Sequence, residues 1–114
     1  LFQLLDDYYP SPLTGLVATD RDRRVLAAGR GVFELTGFRE PELMGEDLVD
    51  VLALDGFEDG ADPFSLALEW GVRRLDQPLR LRSRAGVVKP VTVDVFPAYD
   101  DDGGLLVALT PRAD

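Results

Sequence analysis

The chain has 114 residues, with 21 acidic against 12 basic side chains for a formal net charge of −9, and it contains neither Cys nor His. That length holds one domain with a single core, and a composition of 46% hydrophobic and 29% charged residues is that of a globular fold. The acidity disfavours a nucleic-acid partner, and the two missing residue types remove thiolate or imidazole metal ligation, disulfides, and Ser-His or Cys-His catalytic pairs.

Leu1, Leu4, Leu5 and Tyr8 recur at helical spacing, predicting a short amphipathic helix that Pro10 and Pro12 stop. Leu16–Thr19 and Val25–Ala28 read as two strands joined by the polar turn Asp20–Arg24, a hairpin. Short helical segments follow to Leu52, broken by Gly37 and Gly45, with Pro41 suited to a first helical turn. An Asp- and Gly-rich loop spans Asp55–Asp62. Asp62 and Pro63 then open a longer helix whose face carries Phe64, Leu68, Val72 and Leu75. Gly71 inside that helix costs about 1 kcal/mol relative to Ala, which suggests a close packing contact.

Pro78–Arg84 alternates Leu79, Leu81 and Ser83 against Arg80, Arg82 and Arg84 as a half-buried strand, and Ala85-Gly86 turns it. Val91, Val93 and Val95 alternate with Thr92, Asp94 and Phe96 in a second strand ended by Pro97. Asp100–Gly104 is a turn, and Leu105–Thr110 the last strand. Strands segregated from helices predict an α+β domain built on an antiparallel sheet. No run is long and apolar enough for a membrane span, and no leader pattern opens the chain, so no membrane contact and a cytoplasmic placement are expected. The chain reads as a piece of a longer protein.

Gly29-Arg30-Gly31 lies between a strand and a helix, where a dinucleotide loop would sit. Glu34 occupies the third glycine position and would repel a pyrophosphate, so a turn and packing role is the better reading. Arg73, Arg74, Arg80, Arg82 and Arg84 are the basic concentration. They can hold an anion or meet acids such as Asp6 and Asp7, but a solvated face with stems on apolar surface is favoured. The acids Asp55, Glu58, Asp59 and Asp62, and Asp100, Asp101 and Asp102, lack the ligand spacing of a calcium loop and read as solvated turns. No metal site and no catalytic residue is assigned. Trp70, Phe33, Phe38 and Phe64 read as core.

Three blocks stand in a familiar order: Val25-Leu26-Ala27-Ala28, Glu34-Leu35-Thr36-Gly37-Phe38 and Glu42-Leu43-Met44-Gly45. Together they resemble the first half of a PAS domain, most specifically over Leu16–Leu52, with the strand order extending the likeness over nearly the whole chain. The resemblance implies a five-stranded antiparallel sheet with short helices packed on one face, residues 13–111 forming that core behind an amino-terminal helix and linker over 1–12. It implies a non-enzymatic sensor or dimerisation domain of a signal-transduction protein such as a histidine kinase, cyclic-dinucleotide enzyme, phosphatase or transcription regulator. Its partners would be a second copy in a homodimer, an effector domain in the same chain, and a small apolar ligand.

Small molecules in this family bind between helices and inner sheet face, which makes Phe33, Phe64, Leu68, Val93 and Val95 the candidate pocket lining. Haem held by His and flavin held by a Cys adduct are excluded by composition; non-covalent flavin, an unknown ligand or none remain. Two positions depart from the family pattern: Gly29 stands where Asn is usual, and Ala108-Leu109-Thr110 where Asp-Ile-Thr often ends the last strand. The alternatives to a sensor are a small carboxylate-based enzyme or a pure interaction module without ligand.

Overall fold

The computed structural model describes residues 14–29, 31–56, 63–71, 73–97 and 104–112. The expected helix over Leu1–Tyr9, the Asp62 cap, Val72 and the Asp100–Asp102 turn lie outside the described residues. The elements are β1 Gly15–Thr19, β2 Val25–Ala28, α1 Val32–Thr36, α2 Glu40–Leu43, α3 Leu48–Val51, α4 Pro63–Trp70, β3 Arg74–Arg82, β4 Val88–Pro97 and β5 Leu105–Pro111. All strand pairs are antiparallel, in the order β2-β1-β5-β4-β3. This is the α+β architecture expected: one five-stranded sheet and a few short helices.

Period-two alternation decides the faces. Val17, Leu79, Leu81, Val91, Val93, Val95, Leu105, Val107 and Leu109 turn inward and share one core cluster with Leu35, Leu43, Leu48, Leu52 and Phe64 from the helical side. On the outer face Leu16 and Ala108 are fully buried and form a second cluster with Phe96 and Leu106. Thr14 and Thr110 neighbour each other on the same face, their hydroxyls 3.4 Å apart.

The β1–β2 turn is tied by one side chain: Asp20 Oδ1 accepts from the Asp22 and Arg24 amides at 2.8 and 3.0 Å. Leu26 is the extra residue of a bulge between paired Ala18↔Ala27 and Thr19↔Val25, and is exposed.

Both sheet edges bond to helical connections. At β2, the Val25 amide donates to the Glu46 carbonyl, Gly45 donates back to the Val25 carbonyl, and the Ala28 amide donates to Glu40 Oε2, all at 2.9 Å. At β3, Arg80 and Asp55 exchange backbone bonds at 2.8 and 3.0 Å, and Arg82 donates to the Leu52 carbonyl at 2.7 Å. Pro78 sits in this edge strand, where a missing N–H is tolerated.

The long helix is shorter than its apolar pattern suggests. α4 stops at Trp70, and Leu75, expected on its face, lies in β3 and is 43% exposed. Gly71 ends it: φ is +64° and its amide donates to the Ala67 carbonyl at 3.0 Å. The expected close packing at Gly71 is absent, since a Cβ there would meet nothing within 4 Å. Its value is conformational. β3 accordingly starts at Arg74 rather than Pro78, through a bulge in which Asp76 takes φ +55° and donates its amide to Asp94 Oδ1 at 2.7 Å. β4 also starts earlier than its valine alternation indicates, because Val88 and Pro90 pair with Arg82 and Arg80.

Candidate functional site

Four of the five pocket candidates meet between α4 and the inner sheet face. Phe64 stands in the first turn of α4 and is fully buried, and Leu68, one turn on, packs against the same cluster. Val93 and Val95 reach it from β4, both fully buried. The region is apolar, and Phe64, Val93 and Val95 expose none of their surface.

Phe33 sits elsewhere. It is 46% exposed on the outer side of α1 and borders an open cleft of about 550 Å³ with Gly37, Arg39, Glu42, Arg84 and Ala85. Local chemistry builds that cleft. Thr36 Oγ1 donates to the Val32 carbonyl at 2.7 Å and accepts the Phe38 amide at 3.1 Å, while Gly37 closes α1 at φ +76°. Glu42 and Arg39 then bond reciprocally: the Arg39 amide donates to Glu42 Oε1 at 3.1 Å, and the Glu42 amide donates to the Arg39 carbonyl at 2.9 Å.

The β3–β4 hairpin supplies the other wall. Ser83 Oγ accepts the Val87 amide, and the Arg84 amide donates to the Thr36 carbonyl at 2.8 Å, holding the hairpin against the end of α1. Lys89 Nζ donates to the Leu35 carbonyl at 3.0 Å, a cation set at a helix C-terminus. Arg84 Nε donates to Glu42 Oε2 at 2.7 Å, and the Arg39 guanidinium lies over the Phe33 ring, 4.6 Å from its centroid. The Arg39 amide first, and the Arg84 guanidinium second, hold the Glu42 carboxyl below the usual glutamate range.

The basic strand face is solvated and locally paired. Arg80 meets Asp55 at 3.3 Å and Arg84 meets Glu42, with both arginine side chains more than half exposed. Among the described residues no three His, Cys, Asp or Glu side chains converge as metal ligands. The turn reading of Gly29 and Gly31 fits: the Gly29 amide donates to the Leu16 carbonyl at 2.6 Å, and Gly31 starts α1 at φ +80°.

Sequence reasoning did not single out Arg39 as part of a site, and met Glu42 only as part of a motif. Their three-residue spacing is the one local signal, since reciprocal bonding at that interval is a helix-start device. Arg84 joins them from 42 positions away, a contact no local pattern announces.

No family model matches the chain, and no curated protein does. Solved structures do. The PAS domain of nitrogen regulation protein NR(II) from Vibrio parahaemolyticus superposes with a TM-score of 0.68 at 17% identity, over 96% of this chain and 99% of that one. The PAS domain of the fruit-fly ELK potassium channel gives 0.74 at 12% identity, over 100% and 98%. The dark structure of the blue-light photoreceptor Aureochrome1 LOV gives 0.77 at 18% identity, over 100% and 86%. At such identities the likeness is one of architecture, and the architecture of this chain is the PAS fold.

Proposed function

We propose that this domain is a sensory or interaction module of a signal-transduction protein, which passes the state of a ligand or partner to an effector domain in the same chain. The observation that carries the reading is the convergence of Phe64, Leu68, Val93 and Val95 between α4 and the inner sheet face, in a fold shared with PAS and LOV domains. One similar structure is described as a PAS domain from a two-component sensor histidine kinase, another as a blue-light photoreceptor LOV domain, and their roles motivate the class. The ligand would be small and apolar, with non-covalently held flavin the cofactor alternative. Catalysis forms no part of the reading.

Complete burial of Phe64, Val93 and Val95 favours a second form of the reading, in which side chains fill the region and the domain works through association alone. A homodimer is proposed through the apolar residues Leu1, Phe2, Leu4 and Leu5, since Leu16 and Ala108 on the outer sheet face are already fully buried within one chain. The apolar residues of Leu1–Tyr9 would cover that face or pair with a second copy. No helix among the described residues is long and apolar enough to cross a membrane, and a cytoplasmic placement is part of the proposal.

Native mass spectrometry of freshly purified protein, with an absorbance spectrum of the same sample, tests the reading. A bound mass or a flavin band establishes a chemical sensor. A bare mass with dimer peaks that persist on dilution establishes the association form. A bare monomer at all concentrations overturns both.

A further inference from the structure

We propose that the cleft between α1 and the β3–β4 hairpin binds a small organic carboxylate with a flat apolar body. This site is separate from the α4 core region and is distinguished by its charge. The chain as a whole carries −9, yet the cleft sets two guanidinium groups, Arg39 and Arg84, against one carboxylate, Glu42, leaving +1. One negative charge on an incoming molecule balances it; a phosphate dianion would exceed it and face Glu42.

Glu42 is engaged at both oxygens, Oε1 by the Arg39 amide and Oε2 by Arg84 Nε, and its charge is already counted in the balance of +1. It acts as a brace. A guanidinium has five N–H donors in a planar fork, and among the described residues only Glu42 engages the Arg84 side chain. The remaining donors can take a carboxylate in the two-point geometry that arginine favours. Holding Arg84 in place beforehand reduces the ordering that binding would require.

The apolar part of the ligand has its own surface. Phe33 as a residue is 46% exposed, high for an aromatic side chain, and Ala85 lines the same cleft. With Arg39 stacked at 4.6 Å, the ring forms a flat platform beside a positive charge. The volume, about 550 Å³, falls in the range of small-molecule sites. The cleft is open to solvent, which screens its charges, so the expected affinity is weak, with a dissociation constant on the order of millimolar.

The test is a titration of 15N-labelled protein with benzoate, acetate and benzylamine at matched ionic strength, read by proton–nitrogen correlation spectra. Benzoate is expected to move the amides of Gly37, Arg39 and Ala85 and the Arg84 Nε–H along one saturating curve. Acetate should need about tenfold more, and benzylamine should give no saturation. The double variant Arg39→Gln, Arg84→Gln, checked for retained spectral dispersion, should bind benzoate at least about tenfold more weakly, and Phe33→Ala should erase the advantage of benzoate over acetate. Linear benzoate shifts, an equal response to benzylamine, or benzoate affinity in the double variant within about twofold of the parent would each overturn the proposal.

Discussion

Arg84 donates its Nε–H to Glu42 Oε2 at 2.7 Å, and this bond joins the β3–β4 hairpin to α2. The Arg39 amide and Arg84 favour the ionised carboxylate, so the folded protein binds fewer protons at Glu42 than the unfolded chain does. Acid therefore favours unfolding through this group. Its contribution is complete above the unfolded-state pKa and is lost as pH falls through the lowered folded value. In Glu42→Gln this part of the acid dependence should vanish, so melting temperatures of parent and variant converge toward low pH. A constant gap from neutral to acid pH would assign the effect to other groups.

Gly31 and Gly71 both hold positive φ, yet they should respond differently to alanine. A Cβ at Gly31 would collide with the Thr14 carbonyl, whereas at Gly71 it would enter open space. Gly71→Ala should cost about 1–2 kcal/mol from conformation alone. Gly31→Ala adds a backbone clash where β1 meets α1, and a loss of about 3 kcal/mol or more is expected. Urea unfolding of the two variants checks the order.

Asp47 caps α3, with Oδ1 accepting the Val49 and Asp50 amides at 2.9 and 3.2 Å, and its other oxygen faces Arg23 at 3.6 Å. Asp47→Ala removes the cap and should cost about 1–2 kcal/mol. Asp47→Asn keeps an accepting oxygen and loses only the partly exposed ion pair, for about 0.5 kcal/mol or less. Chemical denaturation separates these magnitudes.

Ala53 occupies the left-handed region at φ +47°, is exposed, and follows α3 with its amide bonded to the Asp50 carbonyl at 3.1 Å. Glycine relieves a strain of about 1–2 kcal/mol but adds freedom to the unfolded chain. Ala53→Gly should raise stability by about 0.5 kcal/mol, visible as a higher melting temperature.

The sheet was largely legible because alternation reports burial directly: Val91, Val93 and Val95 face the core as their spacing implies. Helix ends were less so. The apolar run Phe64, Leu68, Val72, Leu75 continues at helical spacing past Gly71, while pairing of Arg74 with Val95 takes the chain into the sheet instead. Long-range pairing overrode the local period. Four candidate pocket residues fell together because the helix and strand that carry them were read from their own patterns. Phe33 separated from them because α1 has only five residues, and one helical turn does not say which aromatic faces inward.

The bonding of both sheet margins bears on how copies of this chain can meet. Backbone groups of Val25 are occupied on one side, and those of Arg80 and Arg82 on the other, while Pro78 and the Asp76 bulge interrupt the rest of β3. An incoming strand finds no continuous ladder to extend. Growth of the sheet from molecule to molecule is therefore opposed in the folded state, and any association between copies would have to use side-chain surfaces, where strength and specificity are set by sequence rather than by the backbone that all chains share.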